Sequence, residues 1–213
     1  MRIILSDDHA MVKEGIRSWL EAASGMEIIA LAATGKESLE AVRTMKPDVL
    51  VQDIRLPDMS GIEVVRQLRK ESSSQALKIL ALSGSEQFSV RSILLAGANG
   101  YCSKEESRET LLEAVRWVSE REEEYISPLA VKQYEASGEA IRKAGLTELE
   151  LRIASLLKEP NGDIAELLNL SEKTVRNYLS GIYTKLRATS RFEAIKWAER
   201  YGVLESIDAS QKH

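Results

Sequence analysis

Five side chains in the first half of the 213-residue chain have the types and order that phosphoryl chemistry requires. Asp7 and Asp8 follow the apolar run Ile3-Ile4-Leu5, and Asp53 follows Val49-Leu50-Val51. Ser83 closes the run Ile79-Leu80-Ala81-Leu82, and Lys104 lies just beyond Gly100-Tyr101-Cys102. Three carboxylates brought together repel one another unless a cation or a proton relieves them. A hard divalent ion bound through oxygen, Mg2+ most economically, would do so. A hydroxyl and an ammonium beside a metal-bound carboxylate suit a transferred phosphoryl group, because the hydroxyl donates a hydrogen bond and the ammonium neutralises charge. In that chemistry Asp53 is the nucleophile and forms an aspartyl phosphate. Taken singly each residue is ordinary, since a strand-end Asp is usually a cap and a loop Lys is usually solvated. Five such residues at four strand ends carry the reading together.

The elements that must position them follow from the hydrophobic pattern. Over residues 1–120, strands are expected at 2–6, 26–32, 48–52, 78–83 and 100–102, with helices at 12–23, 36–45, 61–71, 87–96 and 108–120. The strand interiors are continuously apolar, as in strands buried on both faces. Regular strand–helix alternation predicts a doubly wound α/β fold, a five-stranded parallel sheet with right-handed crossovers. In the order 2-1-3-4-5 the winding reverses between strands 1 and 3, and ligands bind beyond the strand ends at that point. Asp7, Asp8 and Asp53 would converge there.

After Val118 the alternation stops. Residues 121–145 mix charge, Ser, Pro and Gly and read as a linker holding one short helix near 129–134. Residues 146–205 contain only helical patterns, at 148–158, 163–168, 172–186 and 191–201, and predict an all-α four-helix domain; residues 206–213 read as a tail. In the third of these helices Val175, Leu179, Ile182 and Leu186 recur on one face, behind Ser171 as N-cap. The opposite face carries Lys173, Asn177, Ser180 and Thr184, flanked by Arg176, which are groups that contact phosphates and base edges. A helix, the tight turn Asn169-Leu170 and a polar second helix describe a helix-turn-helix.

Charge and composition narrow the classes. The net charge of −4 argues against an indiscriminate nucleic-acid coat. Residues 143–213 carry 11 Lys and Arg against 10 Asp and Glu, so DNA contact must come from a local basic face. No stretch approaches the ~18 apolar residues of a membrane span, and the opening apolar run is too short for a signal peptide. A single cysteine, Cys102, excludes an intramolecular disulfide and fits a reducing cytoplasm. His9, Cys102 and His213 have no zinc-site spacing, and no catalytic Ser/His or Cys/His set is visible, so an enzyme is not expected.

Ser6-Asp7-Asp8-His9, the segment 53–61, Leu82-Ser83-Gly84 and the segment 97–104 resemble the receiver motifs of two-component response regulators, over about residues 1–120. The resemblance implies that Asp53 accepts phosphate from a sensor histidine kinase. It further implies that Asp7, Asp8, Asp53 and the main-chain carbonyl of Arg55 hold Mg2+. Ser83 and Lys104 would contact the phosphoryl oxygens, with Ser83 and Tyr101 as a switch pair in which Tyr101 turns inward on phosphorylation. His9 reads as a supporting residue, and Cys102 as a small buried hydrophobe.

Leu146-Thr147-Glu148-Leu149-Glu150, Asp163-Ile164-Ala165, the segment 170–176 and Ile182-Tyr183-Thr184-Lys185-Leu186 resemble the LuxR-type DNA-binding domain. A receiver followed by this module is similar to the NarL/FixJ family of transcription regulators. By position, Lys173, Thr174, Arg176, Asn177 and Ser180 would face DNA, and Lys185 would contact a phosphate. Ile195 and Trp197 on the final helix would form a dimer seam. The implied partners are promoter DNA, a second copy on activation, and RNA polymerase, with no membrane. The turn at 158–163 is shorter than the family's, and Tyr178 and Gly181 stand where His and Asn are frequent. Two alternatives stay open: a DNA-binding regulator indifferent to phosphorylation, and a phospho-switch acting through protein contacts with a degenerate helix-turn-helix.

Overall fold

Apolar runs with no polar alternation become the centre of a parallel sheet covered on both faces. In the computed structural model, residues 1–71, 76–84 and 89–204 are described. The chain divides into two compact units; of the described residues the second takes 89–92 and those from Tyr134 on, a boundary within the helix that spans Pro128–Ala144.

The chain as far as residue 126 runs β1 (Arg2–Ser6), α1 (Ala10–Glu21), β2 (Glu27–Ala32), α2 (Gly35–Met45), β3 (Val49–Asp53), α3 (Gly61–Lys70), β4 (Lys78–Ser83), α4 (Val90–Leu95), β5 (Gly100–Ser103), α5 (Arg108–Glu120) and β6 (Tyr125–Ile126). Its strands are all parallel, in the order β2-β1-β3-β4-β5-β6. Ile3, Ile4, Leu5, Val49, Leu50, Val51, Ile79 and Leu80 are fully buried, as their unbroken hydrophobicity requires. Ser6 pairs in register with Gln52, so the ends of β1 and β3 emerge side by side where the winding reverses.

Two differences from the sequence expectation concern the chain after α5. A sixth strand, β6, adds to the edge of the expected five-stranded sheet: Tyr125 N–H donates to Asn99 O and Ser127 N–H to Tyr101 O. The chain is drawn back onto α5 by Trp117, whose Nε1 donates to Glu123 O while the Arg121 guanidinium lies 4.0 Å over its ring. The short helix expected near 129–134 is the start of a 17-residue helix, α6 (Pro128–Ala144), with proline at its first position, where no amide is needed. The expected start of the fourth helix at 87 and the tail 206–213 lie outside the described residues.

The second unit contains α7 (Glu148–Ser155), α8 (Asn161–Leu167), α9 (Glu172–Leu186) and α10 (Arg191–Arg200). Ile153, Leu157, Ile164, Val175, Leu179, Ile182, Ala194 and Ala198 form its core. The shortened turn between α7 and α8 is held by one side chain. Arg191 donates to Leu157 O (2.9 Å), to Asn161 Oδ1 (2.6 Å) and to Glu159 O. α8 therefore begins at Asn161, two residues earlier than the pattern suggested.

A similar fork fixes the entry to β4 and β5. Arg69, half-buried at the end of α3, donates Nε to Gly97 O (2.7 Å), Nη1 to Leu77 O (2.9 Å) and Nη2 to Asn99 Oδ1 (2.7 Å). Asn99 Oδ1 also accepts from Ile79 N–H. Arg69→Met keeps the stem and strands two carbonyls, so urea unfolding followed by circular dichroism should show a loss of about 2–3 kcal/mol; a change below about 0.5 kcal/mol would remove the fork from the account.

Candidate functional site

Each end of the central strands delivers one polar side chain into a single pocket. Asp7, just past β1, is completely buried, and Asp53, the last residue of β3, is 2% exposed. Ser83 ends β4 and is buried, Lys104 follows β5, and Asp8 lies at the rim, partly open to solvent. The Lys104 ammonium stands 2.6 Å from Asp53 Oδ2 and 2.6 Å from Asp7 Oδ2. It donates a hydrogen bond to Asp53, whereas Asp7 Oδ2 lies off the direction for one and remains a buried oxygen without a hydrogen bond. The remaining carboxylate oxygens turn to main chain: His9 N–H donates to Asp7 Oδ1 (2.8 Å) and Arg55 N–H to Asp53 Oδ1 (3.1 Å).

Burial dominates the electrostatics of Asp53 and pushes its carboxyl above the usual range. The hydrogen bond from Lys104 and the Arg55 amide pull it down, and Asp7 raises it again. The pocket is thus short of positive charge. Asp7, Asp8, His9 and Asp53 each offer a ligand atom within 4.8 Å of the others. With an Asp7 oxygen that accepts no hydrogen bond among them, the carboxylates fit a hard divalent cation. His9 joins this cluster by facing Asp8, with Nδ1 2.6 Å from Asp8 Oδ1.

Residues that the sequence reading left without a role hold the pocket in shape. Asp58, from the loop after β3, accepts from Gly35 N–H (2.7 Å) and Lys36 N–H (3.0 Å) at the start of α2. Burial raises its carboxyl, but these amide bonds together hold it below the ordinary value. The loop carrying Arg55 is thereby tied down at its far side. A side chain at Gly61 would collide with the Asp53 carbonyl, so α3 can start close to the acceptor only with glycine there. Gln52 Nε2 donates to that same carbonyl (2.8 Å) and to Ser6 Oγ (3.1 Å). Lys13 Nζ donates to Asp7 O (2.8 Å).

Tyr101 differs from expectation. It is already turned inward, 4% exposed, with its hydroxyl hydrogen-bonded to Ser83 and its pKa raised by burial. Cys102 is buried beside it, and burial pushes its thiol up to about 12, which makes it chemically quiet.

In the second unit, Ser171 Oγ accepts from Thr174 N–H and starts α9. Asn169 takes the left-handed conformation of the preceding turn (φ 54°), which asparagine tolerates. Val175, Leu179 and Ile182 are buried, Leu186 is half-buried, and Lys173, Arg176, Asn177, Ser180 and Thr184 are exposed on the other side; Thr174 is half-buried. Lys185 is placed differently from the phosphate contact expected of it. Its Nζ lies 2.6 Å from Glu150 Oε2, and Glu150 is the residue that closes a capping box with Thr147. The Lys185 hydrogen bond holds the Glu150 carboxyl below its usual range, so this lysine locks α9 to α7. Ile195 and Trp197 are half-buried against the core, and the large apolar side chain that α10 leaves to solvent is Phe192.

Residues 3–116 match the response regulator receiver domain, and residues 144–198 match the bacterial regulatory proteins of the luxR family. The chain is 30% identical to response regulator GacA of Pseudomonas aeruginosa over 213 residues, covering 97% of this chain and 99% of GacA. It is 30% identical to response regulator protein VraR of Staphylococcus aureus over 209 residues, covering 96% and 99%. Among solved structures it resembles the response regulator ChrA of a heme-sensing two-component system, at 28% identity and TM-score 0.55, covering 95% of this chain and 98% of that one. RcsB of Salmonella enterica serovar Typhimurium, solved on promoter DNA with the phosphomimetic BeF3−, shares the fold at 19% identity and TM-score 0.61, over 94% and 98% of the two chains. An α/β receiver with acidic strand ends, followed by a four-helix luxR-type module, places this chain in the response regulator family, among the members that carry a LuxR-type DNA-binding domain.

Proposed function

We propose that Asp53 is the phospho-acceptor of a two-component system, and that its phosphorylation by a sensor histidine kinase controls dimerisation and promoter binding. The observation that supports this most is the Lys104 ammonium shared between two buried carboxylates, one of which keeps an oxygen without a hydrogen bond. Asp53 Oδ attacks the phosphorus of a phosphohistidine; an O–P bond forms, the P–N bond breaks, and the imidazole nitrogen leaves with a proton from solvent. Asp7, Asp8, Asp53 and the main-chain carbonyl of Arg55 would hold Mg2+, which supplies positive charge against the phosphoryl oxygens. Lys104 supplies the second positive charge and Ser83 a hydrogen bond to the transferred group.

In the second unit, Lys173, Thr174, Arg176, Asn177 and Ser180 face promoter DNA, with Lys185 bracing the helix that presents them. Two copies read two half-sites about one helical turn apart, where RNA polymerase is recruited or blocked. Residues 1–120 serve as the receiver, 146–205 as the DNA-binding domain, and the site of action is the cytoplasm.

The solution mass of wild type and Asp53→Ala, each with Mg2+, tests the switch. Beryllofluoride should convert only the wild type from monomer to dimer, and promoter affinity of that dimer should fall steeply with salt. A mass unchanged by beryllofluoride in both proteins would favour a regulator indifferent to phosphorylation.

Holding Asp53 ready for this chemistry destabilises the fold. Its folded pKa is raised, so the stability it contributes is present below the unfolded value near 3.8 and is lost as pH rises through the folded value. In metal-free buffer, Asp53→Asn should therefore melt above wild type at pH 7, with the gap closing as pH falls below that unfolded value. A variant that melts below wild type at pH 7 would contradict this assignment of the electrostatics.

A further inference from the structure

The end of β5 and the turn after it hold the first turn of α6 through two contacts, one of which caps the helix. Ser127 occupies the position before Pro128 where a serine ordinarily caps its own helix. It is fully buried, and its Oγ instead accepts the N–H of Ser103 at the end of β5 (3.1 Å). The helix amide left open, Leu129 N–H, is capped by the Glu106 carboxylate (2.8 Å). Ala130 and Val131 N–H return to Ser127 O. The segment that caps α6 is also the one that carries Lys104. Glu106 N–H donates to Ser103 O, closing a turn over 103–106, and Lys104 N–H donates to Ser83 O.

A cavity of about 230 Å3 separates Ser83, Tyr101 and Ser103 from Leu129 and Ala130, so this turn of α6 has room to shift relative to the strand ends. We propose that the Ser103–Ser127 and Glu106–Leu129 contacts form a latch through which charge at Asp53 is transmitted to the first turn of α6. The proposal rests on the phospho-acceptor reading of Asp53. A phosphoryl group there competes with Asp7 for Lys104 and with Tyr101 for Ser83. Movement of Lys104 carries the 103–106 turn with it, withdrawing the Ser103 amide from Ser127 and the Glu106 carboxylate from Leu129. The output is a helix start that loses its cap when the acceptor is charged.

Hydrogen–deuterium exchange of the full chain with Mg2+, with and without beryllofluoride, tests the latch. Fluorine NMR on the same samples reports whether the mimic is bound. In wild type, exchange over residues 127–133 should accelerate by roughly five-fold or more on binding, the scale of a lost helix cap. Glu106→Ala should show fast exchange there without the mimic and little further change with it, while still binding the mimic. Glu106→Gln, which keeps an acceptor oxygen, should restore the wild-type response. Bound mimic with exchange over 127–133 unchanged or slower overturns the latch. Absence of bound mimic in wild type overturns the phospho-acceptor reading instead.

Discussion

The Lys104 ammonium is held between two carboxylates that the sheet has taken out of water. Asp7 and Asp53 sit at the ends of neighbouring strands β1 and β3, and Lys104 reaches them across the end of β4. With Asp8 at the rim, three carboxylates face one ammonium. Separating the two sides would leave buried charges without partners, at a cost of roughly 3–5 kcal/mol for breaking such a pair. The fold resists this from both ends of the sheet: the Arg69 fork fixes the entries to β4 and β5, while at the site itself Asp58 pins the loop after β3 to α2 and Gly61 lets α3 start against Asp53. The same deficit of positive charge suits the pocket to a hard divalent cation.

Four cations of the second unit show two uses. Lys185 and Arg191 are spent on the scaffold, one on the capping-box glutamate and the other on the turn before α8. Lys173 and Arg176 remain exposed on α9, where Arg176 pairs loosely with Glu172 at 3.8 Å. This division lets a unit of nearly balanced charge present a locally basic helix. It also accommodates the short turn at 158–160, because Arg191 supplies the bonds that a longer loop would make within itself.

Much of this was legible in the residues. Five strands were legible as unbroken apolar runs and α9 as a helical stripe, and the acidic pocket followed from which residues end those strands. The rest depended on contacts that leave no periodic signal. β6 is two residues long and exists because Tyr125 N–H finds Asn99 O, just before β5, and Ser127 N–H finds Tyr101 O within it. Ala136-Ser137-Gly138 reads as a loop, yet α6 continues through it, since glycine within a helix costs only about 1 kcal/mol. Lys185 reads as an exposed basic residue because its partner, Glu150, lies 35 positions away. The inward setting of Tyr101 depends on the Ser83 hydroxyl across the sheet, which no local pattern encodes.

The central claim is that Asp53, rather than either of its acidic neighbours, forms the bond to phosphorus. It is tested most directly by treating the full chain with phosphoramidate and Mg2+, reducing with borohydride, and mapping the product by peptide mass spectrometry. Borohydride converts an acyl phosphate to a primary alcohol and leaves free carboxylates unchanged. The account predicts homoserine in place of aspartate at position 53 alone, with Asp7 and Asp8 intact. Reduction at position 7 or 8, or at none of the three, would contradict it.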